Sequence, residues 1–145
     1  MPLTVEKIAN GTVIDHINAG MGLDVLKVLN IDRSYGARVA LVMNVSSKKI
    51  GKKDIVKIEG KFIDEKTANR IALIAPNATL NIIRNSEVVE KKKVKVPDEI
   101  VGILKCPNPN CITNFEKTDT RFRKRQDDIL VCIFCEKTFS IREFV

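Results

Sequence analysis

Four cysteines, Cys106, Cys111, Cys132 and Cys135, limit the fold of this sequence more than any other feature. They form a C-x4-C pair, a twenty-residue spacer and a C-x2-C pair. Two short-loop pairs allow four thiolates to converge on one tetrahedral Zn²⁺, and four thiolates leave no open position for water or substrate. We therefore expect one structural zinc ion, with an iron–sulfur cluster or disulfides as the alternatives.

The composition predicts a folded chain that does not enter a membrane. Of its 145 residues 44% are apolar and 30% are charged, with a net charge of +7. No apolar run approaches the roughly 18 residues that a membrane span needs, and the N-terminus lacks the pattern of a secretory signal. We therefore expect a cytoplasmic protein, and in that compartment cysteines bind metals more often than they form disulfides.

The periodicity of the first ninety residues predicts two helices and five strands. Strands are expected at 12–17, 38–45, 54–59, 79–83 and 87–89, and helices after caps at Asn18 and Asp64. The order β-α-β-β-α-β with an added strand is that of a ferredoxin-like α+β fold, with both helices on one face of an antiparallel sheet. We assign residues 1–90 to this domain, 91–100 to a charged linker, and 101–145 to a small antiparallel β zinc-binding domain.

The C-terminal domain is too short to build a large core without its metal. Five phenylalanines flank the cysteines, and we expect them to form a small core around the ion. A ligand-stacking surface is the alternative. The residues are Phe115, Phe122, Phe134, Phe139 and Phe144.

The basic residues leave several functions open. Lysines crowd the second hairpin and the linker, and they could simply be a solvated surface. Nucleic-acid binding is disfavoured, because RNA-recognition modules stack bases on aromatics of the third strand, which here reads DIVKIE. An adaptor that binds oligonucleotides through RFRKR (121–125), or a zinc-ribbon interaction module without a small ligand, remains an alternative.

An anionic small molecule such as a nucleotide is the other interpretation of the lysines. Asp15 and His16 are adjacent on the first strand, and strand alternation would point them to opposite faces. His16 is the single histidine, and no nucleophile motif or phosphate-binding glycine loop is present in the sequence. A hydrolase resembling acylphosphatase would rest on analogy of fold alone.

Five segments carry a resemblance to a known family: GTVIDHI, GKKDIVKIE, APNATLNII, CPNPNCI and CIFCEKTFS. In this order, and over nearly the whole chain, the sequence resembles the regulatory chain of aspartate carbamoyltransferase. The resemblance implies a non-catalytic, allosteric subunit of pyrimidine biosynthesis. It also implies an N-terminal domain that forms a homodimer and binds CTP or ATP, and a zinc domain that docks onto catalytic chains, with no nucleic acid or membrane as partner.

Carried over position by position, the resemblance implies a nucleotide site at Ile8, Asp15, His16, Lys53, Lys57, Thr79, Asn81, Ile83, Val88 and Lys91. Lys91, His16 and Asn81 would bind the triphosphate, and Lys57 and Asp15 the ribose hydroxyls. Backbone groups near Ile8 and Ser86 would contact the base. Ser86 replaces a frequent tyrosine and Lys7 a usual small residue, and both departures bear on base preference.

Overall fold

The computed structural model describes residues 7–126 and 129–144. The chain divides into two compact units, Met1–Lys95 and Val96–Val145. Each unit has its own antiparallel sheet, of five strands in the first unit and four in the second.

The elements of the first unit follow the order that the sequence predicts. In the first unit they are β1 (Gly11–Asn18), α1 (Gly22–Val28), β2 (Val39–Ser47), β3 (Gly51–Glu59), α2 (Glu65–Ile74), β4 (Thr79–Arg84) and β5 (Glu87–Lys93). In the second they are β6 (Glu99–Val101), a 3-10 helix (Ile112–Asn114), β7 (Arg121–Gln126), β8 (Ile129–Cys132), β9 (Thr138–Ser140) and a 3-10 helix (Ile141–Phe144).

The N-terminal sheet has the order β2-β3-β1-β4-β5, with antiparallel neighbours throughout. This is the split β-α-β arrangement with one added strand, so the predicted ferredoxin-like α+β class is confirmed. One face of the sheet carries fully buried side chains such as Ile14, Val56 and Ile58. Helix α1 contacts α2, β2 and β3, and its first residue, Gly22, approaches the side chain of Leu41.

Of the two helix caps that the sequence predicts, one is confirmed and the other is wrong. Asp64 caps α2 as expected, because its Oδ1 accepts the N–H of Thr67 at 2.7 Å. The predicted cap at Asn18 is wrong, since α1 begins at Gly22 and its N-cap residue, Met21, makes no side-chain cap. The carboxylate of Asp54 instead accepts the N–H of Gly22 at 2.8 Å.

Two strands extend further than their hydrophobic patterns indicate. Strand β3 begins at Gly51 rather than at residue 54, because the lysines of the turn continue its pairing with β2. Strand β5 continues to Lys93, although every residue in it is exposed. The charged stretch 91–100 therefore contains the end of β5 and the start of β6.

Strand β3 lies between two bulges. The β1–β3 register shifts between Ile14 and Ile17, and the β2–β3 register shifts between Val42 and Val45. Each bulge contains a residue with positive φ, His16 at 57° and Asn44 at 61°. A non-glycine residue rarely adopts this conformation, so tertiary contacts must hold both bulges in place.

The C-terminal sheet has the order β6-β7-β8-β9. Phe122 and Leu130 are fully buried, and the ring of Phe122 packs edge-to-face against Phe144 with centroids 5.0 Å apart. The expectation of a five-phenylalanine core is wrong in part. Phe115 is 73% exposed and Phe134 is 42% exposed, because both lie in loops beside the cysteines rather than on inward strand positions.

In the part of the chain that the structure describes, no helix has the length and apolarity that crossing a membrane requires.

Candidate metal centre and nucleotide site

The four cysteines form one cluster in the C-terminal unit. Their sulfur atoms all lie within 4.8 Å of one another. Two pairs, Cys106 with Cys135 and Cys111 with Cys132, have Sγ–Sγ distances of 3.8 Å. A disulfide needs about 2.05 Å, whereas thiolates about 2.3 Å from one tetrahedral ion are separated by about 3.8 Å. The donor set therefore fits a single structural zinc ion, as predicted.

Backbone N–H groups surround these sulfurs. The N–H of Asn108 points to Cys106 and that of Lys137 to Cys135. The side chain of Asn114 fixes the C-x4-C loop by donating to the carbonyl oxygens of Cys106 at 3.2 Å and Asn108 at 2.7 Å. Such contacts orient the ligands before the metal binds.

Burial and hydrogen bonding raise the pKa of two of the cysteines and lower the pKa of the other two. Burial raises the pKa of Cys106 and of Cys132. For Cys135 burial also acts upward, but hydrogen bonds from the Lys137 N–H and the Asn108 side chain outweigh it and lower the pKa to about 7. For Cys111 burial is outweighed by hydrogen bonds from Thr113, which lower its pKa. Two of the four thiols therefore have a lower pKa than an ordinary cysteine, and the thiolate is the form that binds zinc.

The sheet face opposite the buried one in the N-terminal unit is here called the polar face, defined by Val13, Asp15, Lys57, Asn81 and Lys91. Val13 pairs with Lys57 on one side and with Asn81 on the other, and Asn81 pairs with Lys91. Directly paired residues share a face. The fold therefore places two ammonium groups and an amide in one cross-strand row.

A second row lies next to the first. Thr79 pairs with Asp15 and with Lys93. The Nζ of Lys53 is 2.9 Å from Oδ1 of Asp15, which links β3 to β1 across the polar face. Burial acts to raise the pKa of Asp15, but hydrogen bonds from Lys53 and from the His16 N–H outweigh it and lower the pKa. Asp15 is therefore a carboxylate near neutral pH.

His16 departs from the expected alternation. Its Nδ1 lies 3.3 Å from Oγ1 of Thr79, whose neighbour in the sheet is Asp15. The bulge at His16 resets the period of two, so His16 and Asp15 both reach the same row. The prediction that they point to opposite faces is wrong for this reason.

The remaining sequence-predicted residues lie toward the β4–β5 turn. Ile83 pairs with Val88. The segment that contains Ile8 runs beside the β4–β5 turn, where the N–H of Ser86 donates to the carbonyl of Ala9 at 2.9 Å. Ser86 has a φ of 66°, as this turn requires, and Lys7 is exposed.

A cavity of about 230 Å³ opens at the His16 end of the polar face. His16 and Thr79 line it together with Lys49, Ile50, Asn77 and Lys93, which sequence reasoning missed. The sequence could have indicated Lys93, because it lies two strand positions beyond Lys91. No sequence pattern indicated Lys49, which lies in the β2–β3 turn.

Comparison with known proteins gives the same division of the chain. Residues 3–95 match the family model described as aspartate carbamoyltransferase regulatory chain, allosteric domain. Residues 98–145 match the model described as aspartate carbamoyltransferase regulatory chain, metal binding domain.

Curated relatives match over nearly the whole chain. A regulatory chain from Pyrococcus horikoshii is 55% identical over 146 residues, covering 99% of this chain and 96% of the relative. One from Thermococcus gammatolerans is 50% identical over 145 residues, with the same coverage. One from Metallosphaera sedula is 54% identical over 146 residues, covering 99% of this chain and 92% of the relative.

A ferredoxin-like unit joined to a four-cysteine metal-binding unit defines a two-domain class of regulatory protein. The chain belongs to the aspartate carbamoyltransferase regulatory chain family. It is accordingly a regulatory polypeptide, with an allosteric domain and a metal-binding domain, and not an enzyme.

Proposed function

We propose that the N-terminal unit binds CTP or ATP on the polar face, and that this binding controls the catalytic chains of aspartate carbamoyltransferase in pyrimidine biosynthesis. The cross-strand row of Lys57, Asn81 and Lys91 carries the proposal. Cationic and amide donors on adjacent strands can bind phosphate and hydroxyl oxygens at once, and charge-assisted bonds to phosphate are the strong ones.

The proposed orientation runs the nucleotide along the polar face. The triphosphate would lie with Lys91, Asn81 and His16, at the end where Lys93 and Lys49 line the cavity. Lys57 and Asp15 would contact the ribose, with Lys53 holding Asp15 in place. The base would lie at Ile8, Ile83 and Val88, where backbone groups of the Ser86 turn are within reach.

In this proposal, the catalytic chains are controlled because the nucleotide binds two states of the assembly with unequal affinity. A nucleotide shifts the balance between two states of the assembly only by the difference in its affinity for them. In this proposal the chain contributes the nucleotide site and the metal-dependent docking surface, and the chemistry stays with the catalytic chains. The thiol ligands suit the reducing cytoplasm, where we place the protein.

The zinc unit supplies the surface for the catalytic chains in this proposal. Its exposed apolar side chains lie near the cysteines: Ile112, Phe115, Ile133 and Phe134. Exposed apolar groups clustered on a small unit are typical of a protein–protein contact. Zinc would act indirectly, by holding the two cysteine loops that carry these side chains.

We also propose that two copies associate through their N-terminal units. Strand β2 lies at one edge of the sheet, and its half-buried residues include Val39, Leu41 and Val45. An apolar edge strand is a ready site for pairing with a second chain. Light scattering on the zinc-loaded chain is expected to give twice the monomer mass, and a monomer would contradict this part of the proposal.

Calorimetric titration of CTP and ATP into the zinc-loaded full-length chain tests the binding site. Saturable binding is expected, weakened about tenfold or more by Lys57→Ala because a charge-assisted bond is lost. Lys52→Ala is the matched control, since Lys52 is exposed and lies on the same strand. Binding of a single-stranded oligonucleotide without any mononucleotide binding would contradict the proposal and favour a nucleic-acid adaptor.

A further inference from the structure

Asp54 is a fully buried carboxylate in β3 that none of the roles above uses. It is held by backbone N–H groups from two separate segments. Its Oδ2 accepts from Gly20 at 2.9 Å and Gly22 at 2.8 Å, and its Oδ1 accepts from Asn44 at 2.9 Å. A buried carboxyl group is costly unless its oxygens are hydrogen-bonded. Asp54 therefore needs these three N–H groups, and it in turn holds the two segments that carry them.

The carboxylate lies where both neighbouring strands bulge. Ile17 resumes pairing after the β1 bulge directly opposite Asp54. In β2 the register passes over Asp54, since Val42 pairs with Ile55 and Val45 with Lys53. The side chain of Asp54 therefore bonds to the bulge of one neighbour and to the loop that follows the bulge of the other.

The loop after β1 is packed tightly on this carboxylate. A Cβ at Gly22 would lie 2.5 Å from Cδ1 of Leu41 and 3.0 Å from Oδ2 of Asp54. Gly20 has a φ of 89°. The backbone approaches the carboxylate more closely than a side chain at Gly22 would allow, and this fixes the chain just beyond the β1 bulge.

His16 sits between the two fixed points of this bulge. On its N-terminal side Ile14 pairs with Val56, and on its C-terminal side Ile17 pairs with Asp54, whose carboxylate holds the next turn. The positive φ of His16 brings its ring to Thr79 on the polar face. Lys53, next to Asp54 in the strand, points to the opposite face of the sheet and forms an ion pair with Asp15.

We propose that Asp54 is a positioning residue for the nucleotide site. Acting from the buried face of the sheet, its carboxylate sets the β1 bulge that directs His16 toward the triphosphate end of the polar face. The proposal rests on the proposed function for its consequence in binding, but the orientation of His16 is a property of the ligand-free chain.

The test uses the single histidine as a reporter. Asp54→Asn offers one acceptor oxygen instead of two and turns an amide N–H₂ toward a backbone N–H. In zinc-loaded, ligand-free full-length chain we expect the ring ¹⁵N resonances of His16 to move and its nuclear Overhauser contact with the Thr79 methyl group to weaken. CTP or ATP affinity is expected to fall about tenfold, as when one buried bond to a charged group is lost.

Ile71→Val is the control, because it truncates a fully buried side chain of α2 in the same unit. It is expected to lower stability and leave the His16 resonances in place. If Asp54→Asn does not fold, Gly20→Ala replaces it, since an L residue at this φ weakens the Gly20 bond to Asp54. A smaller movement of His16 in the same direction is then expected.

Unchanged His16 resonances and an unchanged Thr79 contact in a folded Asp54→Asn or Gly20→Ala chain would overturn the proposal, whatever the nucleotide data. A movement of His16 as large in Ile71→Val would also overturn it, because the effect would then be one of general stability. If His16 moves as expected and no variant or unmodified chain binds nucleotide, the proposed function fails while the positioning role of Asp54 stands.

Discussion

The ammonium group of Lys53 lies 2.9 Å from the carboxylate of Asp15, which joins the middle strand β1 to β3 on the polar face. Both side chains are partly buried, at 17% and 26% exposed. This is the condition under which an ion pair contributes more than a fully exposed one.

Lys53→Met is expected to lower the free energy of unfolding by about 1 kcal/mol at neutral pH, within the range of partly exposed pairs. The pKa of Asp15 is lowered below 3.8 in the folded chain. Its contribution is therefore present above that pH and is lost as the pH falls through the folded pKa. Urea unfolding at about pH 6 and about pH 3 measures this, and an equal effect of the substitution at both pH values would contradict it.

Cys135→Ser is expected to unfold the Val96–Val145 unit and leave the N-terminal unit folded. A three-ligand site loses most of the metal-binding free energy that stabilises such a small domain. Amide NMR spectra should show the loss of dispersed signals from the C-terminal unit alone, and assembly with catalytic chains should be lost.

Lys137→Ala is the matched control for this substitution, because the backbone N–H of Lys137 that bonds Cys135 is retained. It should keep one zinc ion per chain and a normal spectrum. A Cys135→Ser chain that still assembled with catalytic chains would show that zinc is dispensable for docking.

Zinc retention should depend on pH in a defined direction. Protons compete with the metal for thiolates, so binding weakens as the pH falls. Release to a chromophoric chelator is therefore expected to speed up as the pH falls, and a thiol with a low pKa, such as Cys135 at about 7, resists protonation best. Asn108→Ala removes a hydrogen bond that lowers this pKa, so it should move the onset of release to higher pH. Release rates that do not vary with pH would count against these thiolates as the ligands.

Phe115→Ser tests the proposed docking surface. Phe115 is 73% exposed, so the free energy of unfolding should change by less than about 0.5 kcal/mol. Affinity for catalytic chains should fall about tenfold, as for loss of an apolar interface side chain. Phe62→Ser, the same change at an exposed residue of the other unit, should leave assembly intact when both are titrated against catalytic chains.

The features that the sequence predicted well depend on residues close together in the chain. Asp64 caps its helix through a residue three positions later, and the cysteine spacing requires only short loops. These are local relations, which a single sequence displays directly. The family resemblance named residues that strand pairing places on the polar face, and their role in binding a nucleotide stays a prediction.

The features that the sequence predicted wrongly depend on residues far away along the chain. Helix α1 is capped by Asp54, which is 32 positions away from Gly22. The bulge that turns His16 ends at Ile17, which pairs with the same distant residue, and the sequence pattern does not show this bulge. Lys49 and Asn77 reach the cavity through turns whose position only the folded sheet determines.

The N-terminal sheet has a buried face and a polar face, and we expect substitutions on the two faces to have different consequences during evolution. Ser86, Val88 and Lys91 of the proposed nucleotide site are exposed, so substitutions there are expected to change nucleotide preference with little loss of stability. Asp54 is the exception, because it belongs to the buried face and yet shapes the polar one. We expect Asp54 to tolerate less variation than the exposed residues of the proposed nucleotide site.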